Sequence, residues 1–302
     1  MKPVLWTAVC ATLAACSPPP SHPTSSRPED PSMPTDQLDH RPPGSSGRLS
    51  IRGLQMYYEV HGAGEGTPLV VVPGGGSTIG ATYGRLLPHL ARQRRVIGVE
   101  EQAHGRTSDR GRPSSFEDSA DDIAALLGQL GVARADVMGF SNGASIALEL
   151  AIRHPAIVRR VVFASSMTRR SGAAPAFWDM IAHARFEDMP QVLKDEFLRV
   201  NPDPHALHTM YERDIERMRS FRDIPDTEVA AVAAPTLILA GDRDVPTTEH
   251  AVWLSHLLPH ARLVILPGGH GDYLGELLAA PGDGRYPELT AWLLAQFLDG
   301  AT

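Results

Sequence analysis

The chain has 302 residues, of which 42% are apolar and 21% charged, a balance that suits a folded domain with a large core and excludes a disordered or collagen-like chain. The formal net charge is −7 and no basic block is present, which argues against nucleic acid as the main partner. The two cysteines, Cys10 and Cys16, lie close together near the start, which excludes a disulfide framework.

The first sixteen residues read as a targeting segment rather than as part of the fold. Lys2 supplies a positive start, and Val4 to Leu13 is an apolar run too short for a confident membrane span. The run ends in Leu13-Ala14-Ala15-Cys16, which resembles the bacterial lipobox. That resemblance implies removal of residues 1–15 and a lipid on Cys16, hence a lipid-anchored protein of the bacterial cell envelope. Ser17, a residue other than aspartate, implies the outer membrane in Gram-negative lipoproteins. An ordinary secretory signal ending at small residues is the plainer alternative.

Residues 16–47 read as a tether. Pro18, Pro19, Pro20, Pro23, Pro28, Pro31, Pro34, Pro42 and Pro43 alternate with serines, and no apolar face offsets the entropy of ordering the segment. The folded domain is expected over residues 48–302.

Within it, Leu49-Ser50-Ile51 and Gln55 to Val60 alternate as strands around an Arg52-Gly53 turn. Leu69 to Val72 is a continuous apolar strand, which stops at Pro73-Gly74-Gly75-Gly76. A helix with Tyr83, Leu86, Leu87 and Leu90 on one face is expected next, then a strand over Arg95 to Val99 and a helix over Asp118 to Leu130. Further strands are expected at Val137-Met138, Val161 to Ala164, Thr236 to Ala240 and Leu263 to Leu266, with helices after Ser141, over Ala251 to Leu258 and over Leu289 to Leu298. Strands alternating with helices predict an α/β fold: a mostly parallel sheet covered by helices on both faces, with an antiparallel hairpin at its start. A polar helical stretch at about 168–229 interrupts the alternation and reads as a helical cap inserted after the sixth strand.

The chemistry centres on Gly139-Phe140-Ser141-Asn142-Gly143, between the Val137 strand and the Ile146 to Ala151 helix pattern. In so sharp a turn, Cβ atoms at positions 139 and 143 would collide, so both are glycine and Ser141 is thrust outward. A serine hydroxyl needs a base and a group to orient that base. In parallel sheets such groups lie beyond the carboxyl ends of strands. Gly241-Asp242-Arg243-Asp244 and Gly268-Gly269-His270-Gly271 both do so, in the order Ser, Asp, His. Asp242 and Asp244 compete for the acid role. Asp244 is favoured for its reach, and Asp242 suits a turn cap. His250, His256 and His260 lie on or beside a predicted helix, away from the strand ends. The oxyanion donors are expected to be the backbone N–H groups of Asn142 and of Gly75.

These segments, with Glu100-Glu101-Gln102-Ala103-His104-Gly105-Arg106-Thr107, resemble the α/β-hydrolase fold, in particular its small capped serine hydrolases. The resemblance runs from Arg48 to the C-terminus. It implies a serine hydrolase acting on a small carboxylic ester or lactone through an acyl-enzyme on Ser141, with no cofactor or metal. A carbon–carbon bond hydrolase or a cofactor-free perhydrolase or haloperoxidase would use the same triad. A non-catalytic envelope binding module is the alternative of another class. Serine rather than aspartate at position 141 excludes dehalogenase and epoxide hydrolase chemistry. Two departures stand out: Pro73-Gly74 replaces the usual His-Gly, and Ala103-His104-Gly105 replaces Gly-His-Gly. Proline removes a side chain that often braces the oxyanion loop. The cap residues Phe177, Trp178, Met180 and Phe186 are expected to wall an apolar pocket, or else to form the cap's own core.

Overall fold

The computed structural model describes residues 44–280 and 284–300. The expected signal segment, Cys16 and the tether through Pro43 lie outside the described residues. Ser45, Ser46 and Gly47, expected at the end of the tether, instead belong to the first strand, where they pair with Val60, Glu59 and Tyr58.

Eight strands form one sheet: β1 (Ser45–Ile51), β2 (Leu54–His61), β3 (Leu69–Val72), β4 (Val96–Val99), β5 (Ala135–Phe140), β6 (Val158–Ala164), β7 (Thr236–Gly241) and β8 (Ala261–Leu266). Their spatial order is β1-β2-β4-β3-β5-β6-β7-β8. β1 and β2 are antiparallel, as are β2 and β4, and every other pair is parallel. The hairpin turns at Arg52 and Gly53, both at positive φ (44° and 89°), a turn whose twist matches that of its strands.

The central strands are apolar throughout because both their faces are covered. Val70, Val72, Val137 and Val161 point to one side, where they pack on α3 (Phe116–Gln129), α4 (Asn142–Arg153) and α9 (Thr248–Leu257). Leu69, Val71, Met138 and Val162 point to the other, against α1 (Ile79–Tyr83), α2 (Leu87–Leu90) and α10 (Tyr286–Leu298). The helix expected through Tyr83 and Leu90 is thus two short ones. Pro88 has no N–H to offer the Gly84 carbonyl, so the helical ladder breaks there. α3 starts cleanly: Ser115 Oγ accepts the Asp118 N–H at 3.0 Å, and Glu117 and Asp118 sit at the positive end of the helix.

Between β6 and β7 lie α5 (Pro175–His183), α6 (Gln191–Val200), α7 (Pro204–Arg219) and α8 (Asp226–Ala230). Trp178, Leu193, Phe197 and Met210 give this inserted cap its own apolar core.

The elbow between β5 and α4 is the tightest point of the fold. A Cβ on Gly139 would overlap the Gly143 carbonyl, and one on Gly143 would overlap the Val72 and Pro73 carbonyls. Gly143→Ala should therefore cost about 3 kcal/mol or more of stability. Chemical denaturation of the purified variant measures this, and a loss under ~1 kcal/mol would contradict the packing described.

Candidate active site

Ser141 carries φ 54° and ψ −124°, a sparsely populated positive-φ conformation that costs a serine about 1–3 kcal/mol. Its backbone is held on both sides: its N–H donates to the Ala164 carbonyl at 2.9 Å, and its carbonyl accepts the Ala144 N–H at 2.9 Å. The side chain is thereby presented above the sheet at the start of α4, and it lines a pocket that lies under the cap.

His270 faces the same pocket from the loop after β8. Its Nδ1 donates to Asp244 Oδ1 at 2.6 Å, which leaves Nε2 as the free nitrogen. Phe140 packs beside the imidazole, with 4.6 Å between ring centres. Asp244, not Asp242, makes this contact. The second oxygen of Asp244 accepts the Gly241 N–H at 2.9 Å and the Ser165 hydroxyl, while Oδ1 also takes the Val245 N–H at 2.7 Å. Asp242 turns away and caps the β8 loop, accepting the Gly268 N–H at 2.8 Å. His250 is also elsewhere: its Nε2 accepts the Thr168 N–H at 3.1 Å.

Burial alone would push the Asp244 carboxyl up and the His270 imidazole down. Their mutual attraction and hydrogen bond outweigh it, so Asp244 is lowered and His270 raised. Ser141 Oγ makes no hydrogen bond within the protein among the described residues; it and His270 share the pocket wall without being bonded. Such contacts commonly tighten only around a bound substrate. The backbone N–H groups of Gly75 and Asn142 likewise have no acceptor among the described residues, and both residues line the pocket. The described residues thus bring all five expected domain residues, Ser141, Asp244, His270, Gly75 and Asn142, to one rim of the sheet.

The cap closes this rim with Phe177, Met180, Met189, Met210, Tyr211 and Met218. Trp178 and Phe186, expected on the same wall, are not among the lining residues. Trp178 turns into the cap core, and Phe186 packs on His208 and Tyr211. Two acids line the pocket. Burial pushes the Glu276 carboxyl up to about 7. Asp214, from α7, belongs to a buried group with Glu101, His104 and Arg217.

No role for that group was assigned from sequence. Its local signals are the i, i+3 spacings of Glu101 with His104 and of Asp214 with Arg217. Arg217 donates to Glu101 Oε1 at 2.9 Å and Oε2 at 2.5 Å, and to Asp214 Oδ1. His104 Nε2 meets Asp214 Oδ2 at 3.1 Å, and its Nδ1 meets the Gln102 carbonyl at 2.9 Å. Burial opposes the charge on His104, but Asp214 and Glu101 prevail and raise its pKa to about 9. Glu101, His104 and Asp214 place ligand-type atoms within 4.8 Å of one another. A histidine donating from both nitrogens has no lone pair for a metal, and Arg217 already supplies the balancing charge.

The chain belongs to the α/β hydrolase fold family, whose model matches residues 67–231, more than half of its length. Curated proteins that it resembles are named as hydrolases. It is 37% identical over 111 residues to 2-hydroxymuconate semialdehyde hydrolase from Pseudomonas sp. (strain CF600), a match covering 35% of this chain and 39% of that one. A putative carbamate hydrolase from Azorhizobium caulinodans is 35% identical over 118 residues, covering 39% and 43%. The alignments thus span about two fifths of the length of these relatives. The crystal structure of the enol-lactonase from Burkholderia xenovorans LB400 shares the fold with TM-score 0.66 and 21% identity, over 83% of this chain and 99% of that one.

A base must be neutral to accept a proton. With its imidazole raised by Asp244, His270 should give kcat/KM an acid limb centred above the ordinary histidine value of 6.5. Asp244→Asn removes the stabilising charge, so the limb should move to lower pH while the plateau falls ~10³-fold or more. A pH–rate profile of both proteins decides this, and an unmoved limb would contradict the pairing.

Proposed function

We propose that this protein hydrolyses neutral carboxylic esters or lactones with an apolar acyl part, through an acyl-enzyme on Ser141. The observation that carries the reading is the Asp244–His270 pair, bonded at 2.6 Å on the wall of the pocket that the strained Ser141 enters.

In this mechanism Ser141 Oγ attacks the substrate carbonyl carbon and its proton passes to His270 Nε2. The carbonyl oxygen becomes an oxyanion that accepts the N–H groups of Gly75 and Asn142. The tetrahedral centre collapses, the carbon–oxygen bond to the leaving group breaks, and His270 returns the proton to that alkoxide. Water then attacks the acyl-serine, giving its proton to His270; the second tetrahedral centre collapses, the carbon–Oγ bond breaks, His270 returns the proton to Ser141 Oγ, and the carboxylic acid leaves. Asp244 stays ionised and stabilises the imidazolium at each half-reaction.

The pocket wall narrows the substrate class. Thioether and aromatic side chains favour an apolar chain and adapt to its shape. Among the described lining residues there is no lysine or arginine to pair with a substrate carboxylate. A substrate with a free carboxylate, as in the semialdehyde named for the Pseudomonas relative, would be desolvated there without a cation. The carbon–carbon hydrolase reading is correspondingly weaker for this chain.

With short p-nitrophenyl esters, wild type should turn over and Ser141→Ala should lose at least ~10⁴-fold in kcat. An acyl chain ending in carboxylate should give kcat/KM at least ~10-fold below that of its uncharged isostere. Full activity in Ser141→Ala would end the serine mechanism, and a preference for the carboxylate would end the neutral-substrate assignment. Binding without turnover would favour a non-catalytic module.

We also propose, from Leu13-Ala14-Ala15-Cys16, that the domain is tethered to the bacterial envelope by a lipid on Cys16. Cys16→Ser expressed in a bacterium should move the protein from the membrane to the soluble fraction, and an unchanged membrane fraction would argue against it.

A further inference from the structure

Pro73 offers the loop neither a hydrogen-bonding side chain nor an N–H. Part of the loop is held from α1: Tyr83 Oη donates to the Val72 carbonyl at 2.9 Å and Gly74 N–H to Thr82 Oγ1 at 3.3 Å. The far end, Gly75-Gly76, is held by the cap instead.

The contact is made by one carboxylate. Asp214 Oδ2 accepts the Gly76 N–H and the His104 Nε2–H, and Oδ1 accepts Asn142 Nδ2 at 3.4 Å and Arg217. Gly76 follows one proposed oxyanion donor, and Asn142 carries the other. Between them Gly75 is packed so closely that a Cβ there would press into Asn142 Nδ2 and Asp214 Oδ2. Behind Asp214, Arg217 is fixed by both oxygens of Glu101, which also accepts the Ser119 hydroxyl at 2.7 Å.

We propose that Asp214 is a positioning residue that braces the Pro73–Gly76 loop from the cap, setting the Gly75 and Asn142 N–H groups toward one point and making that setting depend on the seat of the cap. The proposal rests on the serine-hydrolase reading given above.

Charge balance makes such a brace tolerable beside a developing oxyanion. A lone carboxylate there would repel it. The guanidinium of Arg217 and the doubly protonated His104 neutralise Asp214 and Glu101, so the loop receives geometry without a net negative field. Burial would raise the Asp214 carboxyl, yet these two cations hold it well below the usual carboxylate range. Buried ion groups add little to stability compared with apolar packing. A role in placing two donors gives this one a function that packing would not supply.

The test uses Asp214→Asn in the full chain, with an ester substrate, an arylboronic acid that forms a tetrahedral adduct on a nucleophilic serine, and a thermal melt. An oxyanion site misplaced by about an ångström costs ~10²-fold in rate. The variant should therefore lose about 30- to 300-fold in kcat with KM changed less than about threefold, and boronate affinity should fall in step. The acid limb of its pH profile should stay in place, because the His270–Asp244 pair is untouched; a purely structural loss of the site would disturb both. A folded variant with kcat within about threefold of wild type, or with full boronate affinity, overturns the brace. If Asp214→Asn does not fold, Asn142→Ala serves instead, since it keeps the backbone donor and cuts one tie to Asp214. Boronate binding should weaken in that variant, and unchanged binding overturns the proposal. A wild type inert to both ester and boronate overturns the hydrolase reading and the brace with it. An active wild type beside an unimpaired Asp214→Asn overturns the brace alone.

Discussion

Everything at the catalytic rim follows from one steric constraint, the close approach of the β5–α4 turn to the end of β3. Only hydrogen fits on the inner side at positions 139 and 143, and between them Ser141 is forced to positive φ. The same closeness brings the Pro73–Gly76 loop over the first turn of α4. Ser141 and the backbone N–H groups of Gly75 and Asn142 are thereby set together at one pocket. The strain in one residue is sustained by the packing of the two faces of the sheet around it.

The cap adds two things that the sheet cannot provide. Its inner wall over the pocket is rich in methionine and aromatic side chains. Through Asp214 it also reaches past that wall to the loop itself. The neutral quartet of Glu101, His104, Asp214 and Arg217 thus joins the cap to the Gly75-Gly76 loop and to the start of α4.

The parts of this arrangement that were legible in the sequence are those set by local geometry. Gly139 and Gly143 announce a sharp turn, alternating apolar runs announce the sheet, and His270 stands at a strand end between glycines. The choice between Asp242 and Asp244 was harder, because the two lie two residues apart on one loop and only the tertiary path of β8 decides which faces His270. Ser45 to Gly47 read as tether because an exposed edge strand needs no apolar pattern; they pair with Val60, Glu59 and Tyr58 of β2. The break at Pro88 was visible in principle, but the apolar spacing of Tyr83, Leu86, Leu87 and Leu90 masked it. Asp214 was illegible for a deeper reason. A polar residue on an amphipathic cap helix reads as a solvated face until the docking of that helix is known, and His104, within the Glu100 to Thr107 segment, has only Glu101 of its partners nearby in sequence.

The central claim is that Ser141 carries the acyl group during turnover. Mixing the protein with an ester that is acylated quickly and released slowly, quenching in acid within the first turnover and weighing the intact chain tests this most directly. The account predicts a mass increase equal to one acyl group, mapped by peptide fragmentation to Ser141. Hydrolysis with no acylated protein at any time, or an acyl group mapped to another residue, would contradict it.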